Sequence, residues 1–276
     1  MNTIELASGY SIPQLGLGTW QLTGDTCRNA VSSAIELGYR HIDTAFAYEN
    51  HAEVAAGIKQ SGIARDKLFI TTKIPLGKQK PDQIRSFGSR MLDELQTDYV
   101  DLLLIHWPDK KVPFADTLAA MKELTDKKMV RSVGISNFNA LITAEAADAS
   151  PIPIVTNQVE FHPFLYQRKL LQVCRERGIM LTAYSPLARG EVLVDERLQR
   201  IAERYEVSPA QISIAWLMQK GIIVIPKASS EQHLSSNLTA AELDIAPEDI
   251  AAIDSFEDYH RIINGSFKHY PFDEEM

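Results

Sequence analysis

Along this chain, short runs of Val, Ile and Leu alternate with longer stretches whose apolar positions recur at the helical period. Runs such as LFITTKI (68–74), VDLLLIH (100–106) and IVTNQVEF (154–161) are strand-sized and rich in β-branched and other apolar residues, with few charges. That is the pattern of strands buried on both faces of a parallel sheet. HIDT (41–44), SVGIS (132–136), MLTAYS (180–185), IIVIPK (222–227) and a first strand over 15–19 complete the set. The intervening periodicity predicts helices over 25–37, 50–60, 81–95, 114–128, 140–147, 167–177, 195–205 and 208–219. Gly38 and Gly178 stand where two of these helices stop, and Pro81 stands where one starts. Ahead of the first strand, TIEL and YSIP flank Ser8-Gly9 as a small hairpin.

Eight strands, each followed by helical sequence, predict a single (β/α)8 TIM barrel domain over 1–276, with an N-terminal β-hairpin and a short C-terminal tail. The competing α/β architecture is an open doubly wound sheet, which wants a Gly-rich turn and a helix directly after its first strand. Gly16-Leu17-Gly18 supplies two glycines and runs on into Thr19-Trp20-Gln21, so the barrel is preferred.

Composition narrows the partners. The chain has 276 residues, 45% of them hydrophobic, enough for one large core. A formal net charge of −8 argues against a nucleic-acid or anionic-membrane surface while leaving room for a local basic pocket. The two cysteines, Cys27 and Cys174, lie far apart without CxxC spacing and read as apolar fillers in a reduced compartment. The opening MNTIELASGY lacks a basic region and an apolar run, and no apolar stretch is long enough to span a membrane. The expectation is a cytoplasmic protein, monomeric for want of an obvious apolar surface helix, that acts on a small molecule.

Candidate chemistry appears when the C-terminal ends of the strands are aligned. They carry Asp43, Lys73, His106, Ser136-Asn137, Gln158 with Glu160, Tyr184-Ser185 and Lys227. In a barrel these positions converge on one rim, where enzymes of this architecture keep their catalytic groups. Alone, each has a bland reading: Asp43 as a helix N-cap, Lys73 snorkelling to the surface, His106 bonded in the core, Tyr48 packing as an amphipathic aromatic. Together they describe a device for protonating a carbonyl oxygen. A lysine ammonium favours the phenolate of a nearby tyrosine, an aspartate offsets the buried ammonium, and a neutral histidine orients the carbonyl. Hydride must then come from a nicotinamide cofactor, since no side chain supplies it.

These residues resemble the aldo-keto reductases over nearly the whole chain. The matching stretches are GLGTW (16–20), GYRHIDTA (38–45) with Tyr48, ITTKI (70–74), DYVDLLLIHWP (98–108), VGISNF (133–138), NQVEFHP (157–163), AYSPL (183–187) and IPKASS (225–230). Within the family the chain is most similar to the short-tailed bacterial 2,5-diketo-D-gluconate and methylglyoxal reductases. The resemblance implies Tyr48 as general acid, Lys73 and Asp43 tuning it, and His106 positioning the carbonyl. It further implies that Ser136, Asn137 and Gln158 bond the carboxamide and that Tyr184 stacks on the nicotinamide. Ser185 to Leu187 and Lys227 to Ser229 would hold the pyrophosphate and adenosine end, with Asn237 at the adenine. Trp20, Phe46 and Trp107 would wall the substrate pocket, and no metal is implied.

Two departures bear on selectivity. Where many family members carry Ser and then Arg after the last strand's lysine, this chain has Ala228 and His233. A neutral His233 lacks the permanent charge and the fork of a guanidinium. The expectation is NADP(H) preference, relaxed enough for NAD(H) to serve. The short tail after Ser255 suggests an open pocket for small dicarbonyls, β-keto esters and diketo sugar acids. A metal-dependent hydrolase is disfavoured because no HxH or HExxH spacing exists and Glu160 with His162 is a generic same-face pair. A Schiff-base lyase using Lys73 is disfavoured by the Asp43 pairing. A non-catalytic nucleotide-binding or sensing protein on the same fold is the alternative.

Overall fold

The apolar runs do pair as neighbours. In the computed structural model, which describes residues 2–263, a short hairpin comes first: β1 (Thr3–Glu5) against β2 (Ser11–Pro13), antiparallel, with Ile4 opposite Ile12. There follow β3 (Leu17–Gly18), α1 (Gly24–Leu37), β4 (His41–Asp43), α2 (His51–Ser61), β5 (Phe69–Ile74) and α3 (Pro81–Leu95). Next come β6 (Val100–Ile105), α4 (Phe114–Asp126), β7 (Val130–Ser136), α5 (Ala140–Ala149), β8 (Ile154–Glu160), α6 (Arg168–Glu176) and β9 (Met180–Tyr184). The last quarter holds α7 (Glu191–Val194), α8 (Glu196–Arg204), α9 (Pro209–Gln219), β10 (Ile223–Val224), α10 (Glu231–Thr239) and α11 (Pro247–Asp254).

Among the described residues β3 to β10 lie side by side in chain order, every neighbouring pair parallel. The ring is closed by the first and last of them. Gly16 N–H donates to Val224 O at 2.9 Å, Val224 N–H to Gln14 O at 2.8 Å, and Gly18 N–H to Pro226 O at 3.1 Å. Leu15 and Val224, and Gly18 and Lys227, form the parallel ladder pairs. This is the (β/α)8 barrel with its N-terminal hairpin. The two closing strands are shorter than their apolar sequence predicts. Pro226 has no N–H to give the ladder, and Gly18 is pressed so close that a Cβ there would sit 2.7 Å from Ile225 O.

Side chains alternate along each strand between the barrel lumen and the helical shell. Outward residues such as Ile70, Ile74, Leu103, Ile105, Val133 and Ile135 join the large core between sheet and helices. Inward, Phe69, Leu102, Leu104, Val155 and Ile223 form a separate cluster with Leu6 and Ile12 of the hairpin, which therefore plugs the N-terminal mouth. The expected helix stop at Gly38 is present: its φ of 115° is open only to glycine at low cost, and its N–H bonds Ile35 O at 3.1 Å. Among the described residues no helix is long and apolar enough to cross a membrane.

Candidate active site

With the N-terminal mouth plugged, the polar strand ends meet at the opposite one. Asp43 ends β4, Lys73 lies one residue from the end of β5, and His106 follows β6 directly, so all three sit at the C-terminal ends of adjacent parallel strands. Lys73 has no solvent exposure and is flanked by acceptors: Nζ donates to Asp43 Oδ1 at 2.6 Å and to Thr44 O at 2.7 Å. The second carboxylate oxygen of Asp43 accepts from Gln158 Nε2 at 2.7 Å, so both oxygens are engaged. Tyr48 sits in a single 3₁₀ turn, Phe46–Tyr48, directly after β4. Its ring stands edge-on to His106 with centroids 5.7 Å apart, and Lys73 Nζ lies 5.1 Å from the ring centroid.

Electrostatics set the protonation states. Burial, reinforced by the Asp43 carboxylate, pushes the Tyr48 phenol well above its ordinary value, so it remains a proton donor at neutral pH. The expected lowering by Lys73 does not prevail, because the ammonium is itself tied to Asp43. Burial pulls the Lys73 ammonium below its usual value against the opposing pull of Asp43. Burial, with Lys73 adding to it, takes His106 down to about 3 and keeps the ring neutral.

Beside this group a second polar cluster is cross-linked. Ser136 Oγ donates to Gln158 O at 2.8 Å, and Asn137 Nδ2 donates to His106 O at 2.9 Å and to Ser136 Oγ at 3.0 Å. Tyr184 OH donates to Asn137 Oδ1 at 2.8 Å. Asn137 takes a left-handed φ of 64°, a conformation that asparagine tolerates better than most residues. A cavity of about 730 Å³ opens above both clusters. Asp43, Tyr48, His106, Ser136, Asn137, Gln158 and Tyr184 line it, as do Ser185, Leu187 and Lys227 towards its mouth. Carboxamide and hydroxyl groups on its floor, an aromatic ring on its wall and a lysine at its mouth suit the amide, ring and phosphate ends of a nicotinamide nucleotide.

The sequence itself then decides the kinship: residues 14–258 match the Aldo/keto reductase family. The chain belongs to that family. It is 39% identical to the methylglyoxal reductase DkgB of Escherichia coli O157:H7 over 257 residues, covering 92% of this chain and 96% of the relative. A crystal structure described provisionally as a 2,5-diketo-D-gluconic acid reductase B superposes with a TM-score of 0.93 at 38% identity, covering 98% of this chain and 96% of the other. The Bombyx mori aldo-keto reductase, solved in complex with NADP, has a TM-score of 0.89 at 33% identity, with 95% of each chain covered.

In this aldo-keto reductase the remaining sequence-predicted site residues are placed unevenly. Trp20 and Trp107 line the cavity. Phe46 does not: its ring packs against Phe87 at 5.4 Å and His51 at 6.1 Å, under the Arg90 guanidinium. With about three residues per 3₁₀ turn, positions two apart face different sides, so Tyr48 turning inward carries Phe46 outward. Ser229 and His233 are exposed at the start of α10, outside the cavity lining. Asn237 is buried on α10, the helix whose Leu234 O accepts from the Tyr39 hydroxyl at 3.0 Å.

Sequence reasoning missed Arg189, Gly190 and Ile263, all in the cavity lining. Arg189 sits in a turn with a left-handed φ of 51° and lies 5.0 Å over the Trp20 ring, spanning the mouth. Its signal, a lone Arg-Gly after AYSPL, was present but resembled any loop. Among the described residues no group of three or more His, Cys, Asp or Glu is placed to hold a metal.

Proposed function

We propose that this oxidoreductase reduces small aldehydes and ketones (dicarbonyls, β-keto esters, diketo sugar acids) with NADPH, and accepts NADH as a second donor. The observation that carries this reading is the meeting of Tyr48, His106 and Asp43 on the lining of one cavity, with Lys73 buried behind them against Asp43. A bound reduced nicotinamide supplies the hydride. Ser136, Asn137 and Gln158 hold its carboxamide, Tyr184 its ring, and Ser185, Leu187, Lys227 and Ser229 its phosphates, with His233 and Asn237 towards the adenosine. Tyr48, kept protonated by its surroundings, donates its phenolic proton to the substrate carbonyl oxygen as charge develops there. His106, kept neutral, donates a hydrogen bond to the same oxygen and fixes its direction. Trp20 and Trp107 shape the substrate end. The chain acts as a cytoplasmic monomer, one barrel carrying one site.

The test is loss of reduced-nicotinamide absorbance with methylglyoxal, a β-keto ester and a diketo sugar acid, each with NADPH and with NADH. Oxidation of NADPH is expected, and Tyr48→Phe is expected to lower turnover by roughly 10²–10⁴-fold, the range for a positioned general acid. Cofactor affinity, read by tryptophan quenching, should stay within about threefold of the parent value, since the phenol acts only on the reacting oxygen. Tight cofactor binding without turnover of any carbonyl would favour a binding or sensing protein. Loss of binding and turnover together in Tyr48→Phe would refute the assignment of the acid.

A further inference from the structure

One buried carboxylate at the same rim has no place in that chemistry. Glu160, the last residue of β8, has no side-chain exposure, and among the described residues its ion-pair partner is His162 rather than a lysine or arginine. Its oxygens are nevertheless fully used. Oε1 accepts from His162 Nε2 at 3.0 Å and from the Ile262 backbone N–H at 2.7 Å, and Oε2 accepts from the Ile263 N–H at 2.8 Å. Two of the three donors thus belong to a segment about 100 residues further along the chain.

That segment crosses the barrel mouth from α11. Phe256 stacks on Phe164 with centroids 6.4 Å apart and carries the Arg197 guanidinium on its ring. Asp258 pairs with Arg197 at 2.7 Å, His260 N–H donates to Phe164 O at 2.8 Å, and Arg261 donates to Gln167 Oε1 at 3.2 Å. Along this path Ile263 lies in the wall of the cavity that holds Tyr48 and Trp107. Consecutive backbone N–H groups converging on one carboxylate form a strong, charge-assisted arrangement. Burial alone would raise the Glu160 carboxyl, but the bonds from His162 and the two backbone N–H groups outweigh it and hold it below the ordinary range.

We infer that Glu160 is a positioning residue for substrate selectivity: its carboxylate latches the C-terminal segment at Ile262 and Ile263 and so fixes Ile263 as a wall of the substrate cavity. The selectivity half of this inference rests on the reductase reading, whereas the latch itself stands on geometry. Glu160→Gln keeps the size of the side chain but turns an amide donor towards donors, so at least one of the three bonds is lost.

The experiment uses the full chain and two readouts. In hydrogen exchange, the Ile262 and Ile263 amides are expected to exchange at least tenfold faster in Glu160→Gln than in the parent. In kinetics, kcat/KM for a bulky aromatic aldehyde relative to methylglyoxal should rise at least fivefold, carried mainly by KM, with KM for NADPH within twofold. Ile263→Ala should shift the same ratio in the same direction while leaving Ile262 protected. Should Glu160→Gln fail to fold, Glu160→Asp, which keeps the charge but draws it back by one methylene, carries the same exchange reading. Equal exchange in variant and parent would overturn the latch. Faster exchange with an unchanged substrate ratio would overturn the link to selectivity. A parent enzyme silent towards every carbonyl would overturn the reductase reading and the selectivity half with it, and the exchange data would still decide the latch.

Discussion

Neutralising Asp43 alone should destabilise the protein far more than neutralising Asp43 and Lys73 together. Both side chains are essentially without exposure and their charged atoms are 2.6 Å apart. At that separation and an effective dielectric constant of ~20, the attraction is about 6 kcal/mol. Asp43→Asn removes it and leaves a buried ammonium facing only neutral acceptors. The introduced carboxamide must also turn an N–H towards either Lys73 or the Gln158 donor. Breaking a buried pair from one side costs about 3–5 kcal/mol, and at about 2–4 °C per kcal/mol the melting temperature should fall by roughly 6–20 °C. Lys73→Met leaves the carboxylate with only the Gln158 donor and should cost a similar amount. In the double variant no charge is buried, the carboxamide oxygen can accept from Gln158, and most of the loss should be recovered. Thermal unfolding of the four proteins by circular dichroism at pH 7 completes the cycle. Single variants melting within about 2 °C of the parent, or a double variant as unstable as the sum of the singles, would refute the reasoning.

Other expectations follow from the same kind of accounting. Burial takes His41 down to about 4 and His106 to about 3. The unfolded chain therefore binds protons that the native state does not as pH falls below about 6.5, and each histidine can erode stability by up to about 1.4 kcal/mol per pH unit until its native value is reached. Urea unfolding should show a plateau above pH 7 and a decline below 6.5; a flat profile down to pH 4.5 would contradict it. Gly134→Ala places a Cβ 2.6 Å from Leu104 Cδ2 and 2.7 Å from Thr156 O, where the backbone cannot yield, and should cost about 1–3 kcal/mol by denaturant titration. His233→Arg should raise the NADPH-to-NADH ratio of kcat/KM, and an unchanged ratio would assign phosphate reading to another residue.

The barrel and the catalytic floor were legible because both are written locally. A uniformly apolar run broken by one polar residue marks a strand end, and parallel register makes strand ends neighbours, so Asp43, Lys73 and His106 can be brought together on paper. Tyr48 was reachable from its spacing to Asp43. Phe46 was not, because the sense in which a 3₁₀ turn leaves its strand depends on what packs beneath it, here Phe87 and His51. Arg189 escaped because its position follows from a left-handed turn at a non-glycine residue. Glu160 was visible as a polar strand end, but its partners are backbone groups about 100 residues away, and no local pattern announces them.

The way the ring closes has a consequence for the chain's two ends. Residues 14–18 meet 224–227 through a handful of backbone bonds, so the sheet is continuous only while segments from opposite ends of the sequence stay in register. An open β-sheet presents two unpaired edges, which are templates for pairing with other chains. Loss of the first strand would expose the flank of β4 and the flank of β10 at once. Proteolytic cleavage after Gly18, which removes both the hairpin and β3, would thus turn a closed barrel into a sheet with two sites of strand addition.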